Sequence, residues 1–172
     1  EAYSLAAAHI TVSLADRGII LDGASEVAIE WTESSPHGPV TCRGMLDHLI
    51  EHEGKIYDLK ITGDASDSAI EKSAMRFGYD LQRAAYVSAL EKLRPDLAGR
   101  VDFVFLFAED EEPYLLNPVR GDGVFRELGE RRWMRAVNIW AACLAANQWP
   151  GFGTGINSIT APMWALSREE LL

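Results

Sequence analysis

Cys42 and Cys143 are the only two thiols in this 172-residue chain. Two are too few for a four-cysteine iron–sulfur cluster and do not read as the disulfide framework of a secreted scaffold, so packing is their expected role. No apolar run is long enough to span a bilayer, and the first residues lack the basic start of a signal peptide; a cytoplasmic protein with no membrane partner is the expectation. Positive charge is scarce as well. Lys and Arg number 16 against 26 Asp and Glu, and a net charge of −10 argues against an indiscriminate polyanion binder. A local basic track remains open to Lys72, Arg76 and Arg83, and to Arg126, Arg131, Arg132 and Arg135, with solvated helix faces as the plainer alternative. There is no internal repeat and no low-complexity linker. With 48% hydrophobic residues the chain can bury one sizeable core, so a single domain over residues 1–172 is expected. The chain starts at Glu1 without an initiator methionine, which is read as a domain lacking an upstream segment.

What is present is a patterned α/β sequence. Strands are expected over 26–32, 44–50, 55–62, 101–108 and 113–118, with turns over 33–39 and across the acidic run 109–112. Residues 2–18 suit a first helix carrying His9, whose expected role is that of a partly buried structural histidine. The stretch 68–94 opens with Ser68 and Glu71 at capping-box spacing, is divided by Gly78 and stops at Pro95. Leu81, Ala84, Ala85, Ala89 and Leu93 are expected on its buried face. A long helix over 123–147 places Trp133, Val137, Trp140 and Leu144 on an apolar stripe. The G-x-G-x-G run at 151–155 has no helix after it and reads as a loop. The fold class that follows is a central mixed sheet flanked by helices.

The chemistry concentrates in GMLDHLIEHEGKIYDLKIT, residues 44–62. Two antiparallel strands meet at a turn containing His52, Glu53 and Gly54. Alternation then puts Ile56, Asp58 and Lys60 on one face and Tyr57, Leu59 and Ile61 on the other. Pairing across the turn brings Asp47 beside Asp58, and two carboxylates that close repel each other unless a cation lies between them. Oxygen ligands suit Mg²⁺, or Mn²⁺ in its place, and leave room for a phosphate and a water. Lys60 is placed to stabilise developing negative charge. The plainer alternative is a surface ion pair worth at most about 1 kcal/mol. On the helix that follows, Tyr79, Gln82 and Tyr86 form one stripe, which ordinary packing would also explain.

The ordered combination GMLDHL, IYDLK and GYDLQRAAY resembles the PD-(D/E)XK nuclease superfamily, in particular its RecB-type members and the exodeoxyribonuclease VIII (RecE-like) and phage exonuclease branch. The resemblance implies a restriction-endonuclease-like core and metal-dependent hydrolysis of DNA, with exonuclease action in phage-type recombination. It implies Asp47 and Asp58 as metal ligands, Lys60 as the catalytic lysine, and Gln82 with Tyr86 as a Q-x-x-x-Y motif. Tyr79, Arg83 and Glu26 are carried as accessory or substrate-binding residues, Glu26 with a surface glutamate as its alternative. EDEEPYLL and the APMWAL around Trp164 also fit that branch. A recombination-protein partner and homo-oligomer formation are further implications. Many members of the type carry an upstream histidine or acidic residue that completes the metal site, and His9 does not match that motif. The competing expectation is a catalytically impaired module that binds nucleic acid or a recombination partner.

Overall fold

The computed structural model describes residues 2–163. In chain order the elements are α1 (Ala2–Asp16), β1 (Ala24–Glu33), β2 (Val40–Ile50), β3 (Lys55–Thr62), α2 (Asp67–Phe77), α3 (Tyr79–Leu93), β4 (Asp102–Glu109), β5 (Leu116–Val119) and α4 (Gly123–Ala146). The strands form one sheet in the order β1-β2-β3-β4-β5. Every pairing is antiparallel except β3 with β4, which run parallel and are joined through α2 and α3. This is the expected mixed sheet between helices.

Alternation decides what each face meets. On one side Ile56, Leu49, Phe103, Phe105 and Phe107 pack with Ile70, Leu90 and Tyr79 from α2 and α3. On the other, Tyr57, Val104, Leu106, Ala108 and Leu116 lie under Ile10 and Leu14 of α1. Central β4 is therefore apolar on both faces, which explains its unbroken hydrophobic run. Burying such side chains stabilises the fold by about 1.5–3 kcal/mol each. No helix among the described residues is long and apolar enough to cross a membrane.

Several sequence expectations shift. β2 starts at Val40 rather than residue 44, and β5 is confined to Leu116–Val119 because Tyr114, at φ 57°, belongs to the preceding turn. The helix after β3 starts at Asp67 behind Ser66, and neither Ser66 nor a Ser68–Glu71 box caps it through a side chain. Gly78 does divide the helical stretch, in the left-handed conformation. Leu93 is exposed, as the last turn of α3 runs past its neighbours. On α4 the buried line is Gly129, Val137 and Ala141 with Trp133 partly buried, while Trp140 and Leu144 face outward. The stripe is one residue off because α4 lies against α3 and β2, and Trp140 instead meets Trp149 edge to face. His9 is exposed and rests on Tyr114, since Ile10 and Leu14 are the residues that α1 turns inward. Residues 151–155 are a loop, as expected; Trp164 lies outside the described residues.

The α3–α4 crossing is unusually close. A Cβ on Gly129 would stand 2.2 Å from the carbonyl oxygen of Asp80, which is backbone and cannot rotate away. Gly129→Ala is expected to push the helices apart at a cost of about 1–3 kcal/mol, seen as a lower urea midpoint with an unchanged slope. Wild-type stability in that variant would contradict the packing described.

Candidate active site

The site is built where β2 and β3 part. Their ladder pairs His48 with Tyr57, Leu49 with Ile56 and Ile50 with Lys55, and ends there. The next pair would have been Asp47 and Asp58. Instead the Asp47 carboxylate accepts the Leu59 N–H at 2.8 Å, taking the place of a main-chain partner. Leu46 and Leu49, three residues apart, pack in the same cluster, so the alternation of β2 breaks once between them. In the register with β1, Glu26 falls beside Asp47, between Ser25↔His48 and Val27↔Leu46. Its φ of 54° is left-handed, which a glutamate rarely adopts. The backbone at Glu26 thus follows the kink that aims Asp47 into the fork; its exposed carboxylate makes no hydrogen bond or ion pair among the described residues.

Asp58 is 1% exposed and points toward α3. Gln82 Nε2 donates to its Oδ2 at 2.7 Å, and Lys60 Nζ forms an ion pair with its Oδ1. The Lys60 ammonium lies 4.7 Å from the centre of the Tyr79 ring and 6.0 Å from that of Phe105, a cation–π setting that fixes it over the carboxylate. Burial pushes the Asp58 carboxyl above the ordinary aspartate range, and the neighbouring Asp47 charge adds to this; Lys60 and Gln82 oppose it without cancelling it. In metal-free protein Asp58 is therefore expected to titrate above about 3.9, and Gln82→Leu to raise it further by removing a donor to the charged form. A carbon-13 NMR titration reads both, and a value at or below the ordinary range would contradict the buried setting.

Asp47, Asp58, Lys60, Gln82 and Tyr79 are thus brought together. Tyr86, one turn beyond Gln82, does not touch Asp58; its ring lies against Phe103 and fills the space above Gly44, where a Cβ would come within 2.6 Å of it. It sets the height of α3 over β2. Arg83 is turned away from the carboxylates, against Glu130 of α4. Of the expected basic track, Arg132 is held by Asp80 at 2.7 and 2.9 Å, and Arg131 by Glu127. Lys72 and Arg76 are exposed on α2.

One polar cluster escaped the sequence reading altogether. Glu33, expected in a turn, ends β1 at 2% exposure and accepts from Trp31 Nε1 at 2.9 Å, Ser88 Oγ at 2.7 Å, Lys92 Nζ at 2.8 Å and Trp133 Nε1 at 3.1 Å. Burial alone would raise its pKa, but the donors, led by Lys92, hold it below the ordinary glutamate range. The available signal was the alternation Ile29, Trp31, Glu33, which continues the buried face of β1 to its end.

The carboxylate pair fits a hard divalent cation. Asp58 Oδ1 is buried with no hydrogen bond and meets only the Lys60 ammonium, and the donors are all oxygens. Among the described residues no third His, Cys, Asp or Glu joins them. Such a donor set suits Mg²⁺, which usually keeps several waters beside one or two carboxylates.

A mixed sheet whose parting strands present Asp47 and an Asp58-x-Lys60 strand under a Gln82 helix defines a PD-(D/E)XK nuclease-type fold. The chain belongs to the family described as PDDEXK-like domain of unknown function (DUF3799), which it matches over residues 3–160. Among solved structures it is similar to a candidate exonuclease from Eubacterium rectale, with a TM-score of 0.61 and 13% identity. That similarity covers 94% of this chain and 64% of the other, so this chain spans less than two thirds of its structural neighbour, and at this identity the likeness is one of fold. Among curated proteins none matches closely enough to carry an argument.

Proposed function

We propose that this domain hydrolyses DNA phosphodiester bonds with Mg²⁺ or Mn²⁺, Asp47 and Asp58 being the residues that would hold the ion. The observation that carries the reading is Asp58, buried between Lys60 and Gln82 where β2 and β3 part and Asp47 reaches across. When bound, the cation supplies charge neutralisation at the phosphate and acidification of water. The chain supplies the rest. Gln82 and the Leu59 N–H fix the two carboxylates, so little reorganisation is needed at the moment of reaction. Tyr79 holds the Lys60 ammonium at the site, where it favours the ionised form of Asp58 and is positioned to stabilise negative charge developing on a phosphate oxygen.

Within this proposal the favoured use is exonucleolytic processing of duplex DNA in phage-type recombination by a RecE-like enzyme. A cytoplasmic setting, a recombination-protein partner and self-association belong to it, the last tested by sedimentation. The experiment is incubation of linear and covalently closed duplexes with Mg²⁺ or Mn²⁺, comparing wild type with Asp58→Asn and Lys60→Ala. Cleavage of linear DNA that both substitutions abolish supports the assignment; cleavage that survives both removes it. Degradation of closed circles as fast as linear DNA would replace exonuclease by endonuclease action.

A second reading rests on the lack of a third protein ligand among the described residues. It makes the domain a catalytically impaired module that binds nucleic acid or a recombination partner. DNA binding by the wild type without cleavage under either metal would favour it.

A further inference from the structure

Arg83 is the one lysine or arginine that is buried among the described residues, at 7% exposure, and its Nη1 has no hydrogen-bond partner there. Its nearest countercharge is Glu130 Oε1, 3.5 Å from Nη1, on a side chain that is 63% exposed. A buried guanidinium left so incompletely paired is costly, and the usual remedy is a partner close enough to hydrogen-bond. Arg83 lines a cavity of about 360 Å³ between α3 and the start of α4. Arg126 lines it too, with its Nε directed to the Asp122 carbonyl, and so does Gly123, the first residue of α4. Two guanidiniums therefore share one recess at the start of the 24-residue α4, whose Phe125 N–H is already capped by the Asp122 carboxylate. Burial, and to a lesser degree the Arg126 charge, lower the pKa of Arg83, with Glu130 acting against them. The other carboxylates at the rim are engaged: Glu91 accepts the Gly99 N–H and Glu127 pairs with Arg131. Glu130 alone is loosely held.

We propose that this recess is an oxyanion site for a phosphate group, bound between Arg83 and Arg126, with Glu130 as the carboxylate it displaces. The geometry carries the site by itself; a nucleic-acid backbone as the phosphate source rests on the nuclease reading. A backbone phosphate here would be held away from the bond being cut, because Arg83 points to α4 while its neighbour Gln82 points to Asp58. Charge-assisted hydrogen bonds from two guanidiniums match a tetrahedral oxyanion.

The test is binding by the full chain in EDTA, so that no cleavage occurs, with inorganic phosphate titrated calorimetrically against chloride at equal ionic strength. Arg126→Gln is expected to weaken phosphate binding about tenfold, and Glu130→Gln to tighten it by a similar factor. Both residues are exposed, and circular dichroism confirms that the variants fold. Phosphate affinity unmoved by either substitution, or a Glu130→Gln variant that binds more weakly, overturns the proposal. A labelled duplex forms the second arm. Duplex binding that moves with the same two substitutions and is competed by phosphate assigns the site to a nucleic-acid backbone; phosphate binding that moves while duplex binding does not assigns it to a free phosphate. Because this readout is binding without metal, loss of the nuclease reading leaves the site standing, and loss of the site leaves the Asp58 chemistry untouched.

Discussion

Asp58→Asn is expected to reduce DNA hydrolysis about 10²–10³-fold or more while leaving the fold intact, as removal of one preorganised electrostatic group at a reacting phosphate typically does. Asparagine matches aspartate in shape and still offers Gln82 an acceptor, so the loss is one of charge at the position that would hold the cation and anchor Lys60. Single-turnover cleavage of a linear duplex measures it. The same substitution has an opposite expected effect on stability. The folded-state pKa of Asp58 is raised, so its favourable contribution is complete below the unfolded value and is lost as pH rises through the folded one. Near neutral pH the ionised group is therefore a liability. Asp58→Asn is expected to melt higher than wild type at pH 7.5, an advantage that shrinks toward about pH 4. Lys60→Ala should lose activity similarly but melt lower, because it leaves Asp58 buried without its ion-pair partner. An Asp58→Asn variant that loses activity and stability together would mean that Asp58 is structural.

The parts of this site that were legible in the sequence are those fixed by period. In β3 a two-residue alternation put Asp58 and Lys60 on one face, and in α3 a three- and four-residue spacing put Tyr79, Gln82 and Tyr86 on one stripe; both directions hold in the fold. The convergence of Asp47 was legible only as a distance argument. What places it is a departure from regular pairing, a broken ladder and a left-handed Glu26, and neither leaves a periodic signal. Arg83 shows the limit from the other side. Adjacent to Gln82 in sequence, it is turned by about 100° around the helix and serves a different recess. Arg132 read as a member of a basic track or a solvated helix face and is a structural partner of Asp80, fifty-two residues away, which no local pattern announces.

Glu33 sets a large stability effect for a polar side chain. Its carboxylate gathers donors from β1, α3 and α4, so it ties the edge strand to both helices that roof the site. Glu33→Ala would leave one hydroxyl and two indole N–H groups without their acceptor, and the half-exposed Lys92 ammonium without its partner. The expected cost is about 2–4 kcal/mol, mainly from the unsatisfied buried donors, a large share of the roughly 5–15 kcal/mol that holds a domain of this kind together. Glu33→Gln keeps an acceptor oxygen but loses the charge that Lys92 meets, and should fall between the two. Their pH dependence separates them further. The folded-state pKa of Glu33 is lowered, so its contribution is present above the unfolded value, about 4.3, and is lost as pH falls through the folded one. Wild type should therefore lose more stability than Glu33→Gln between pH 7 and the acid range, narrowing the gap measured by urea denaturation. A Glu33→Ala loss below about 1 kcal/mol, the scale of an ordinary exposed pair, would show that Trp31, Trp133 and Lys92 hold α3 and α4 on β1 without it. The position of Gln82 over Asp58 would then depend on the apolar contacts around Ala85, Ala89 and Tyr86.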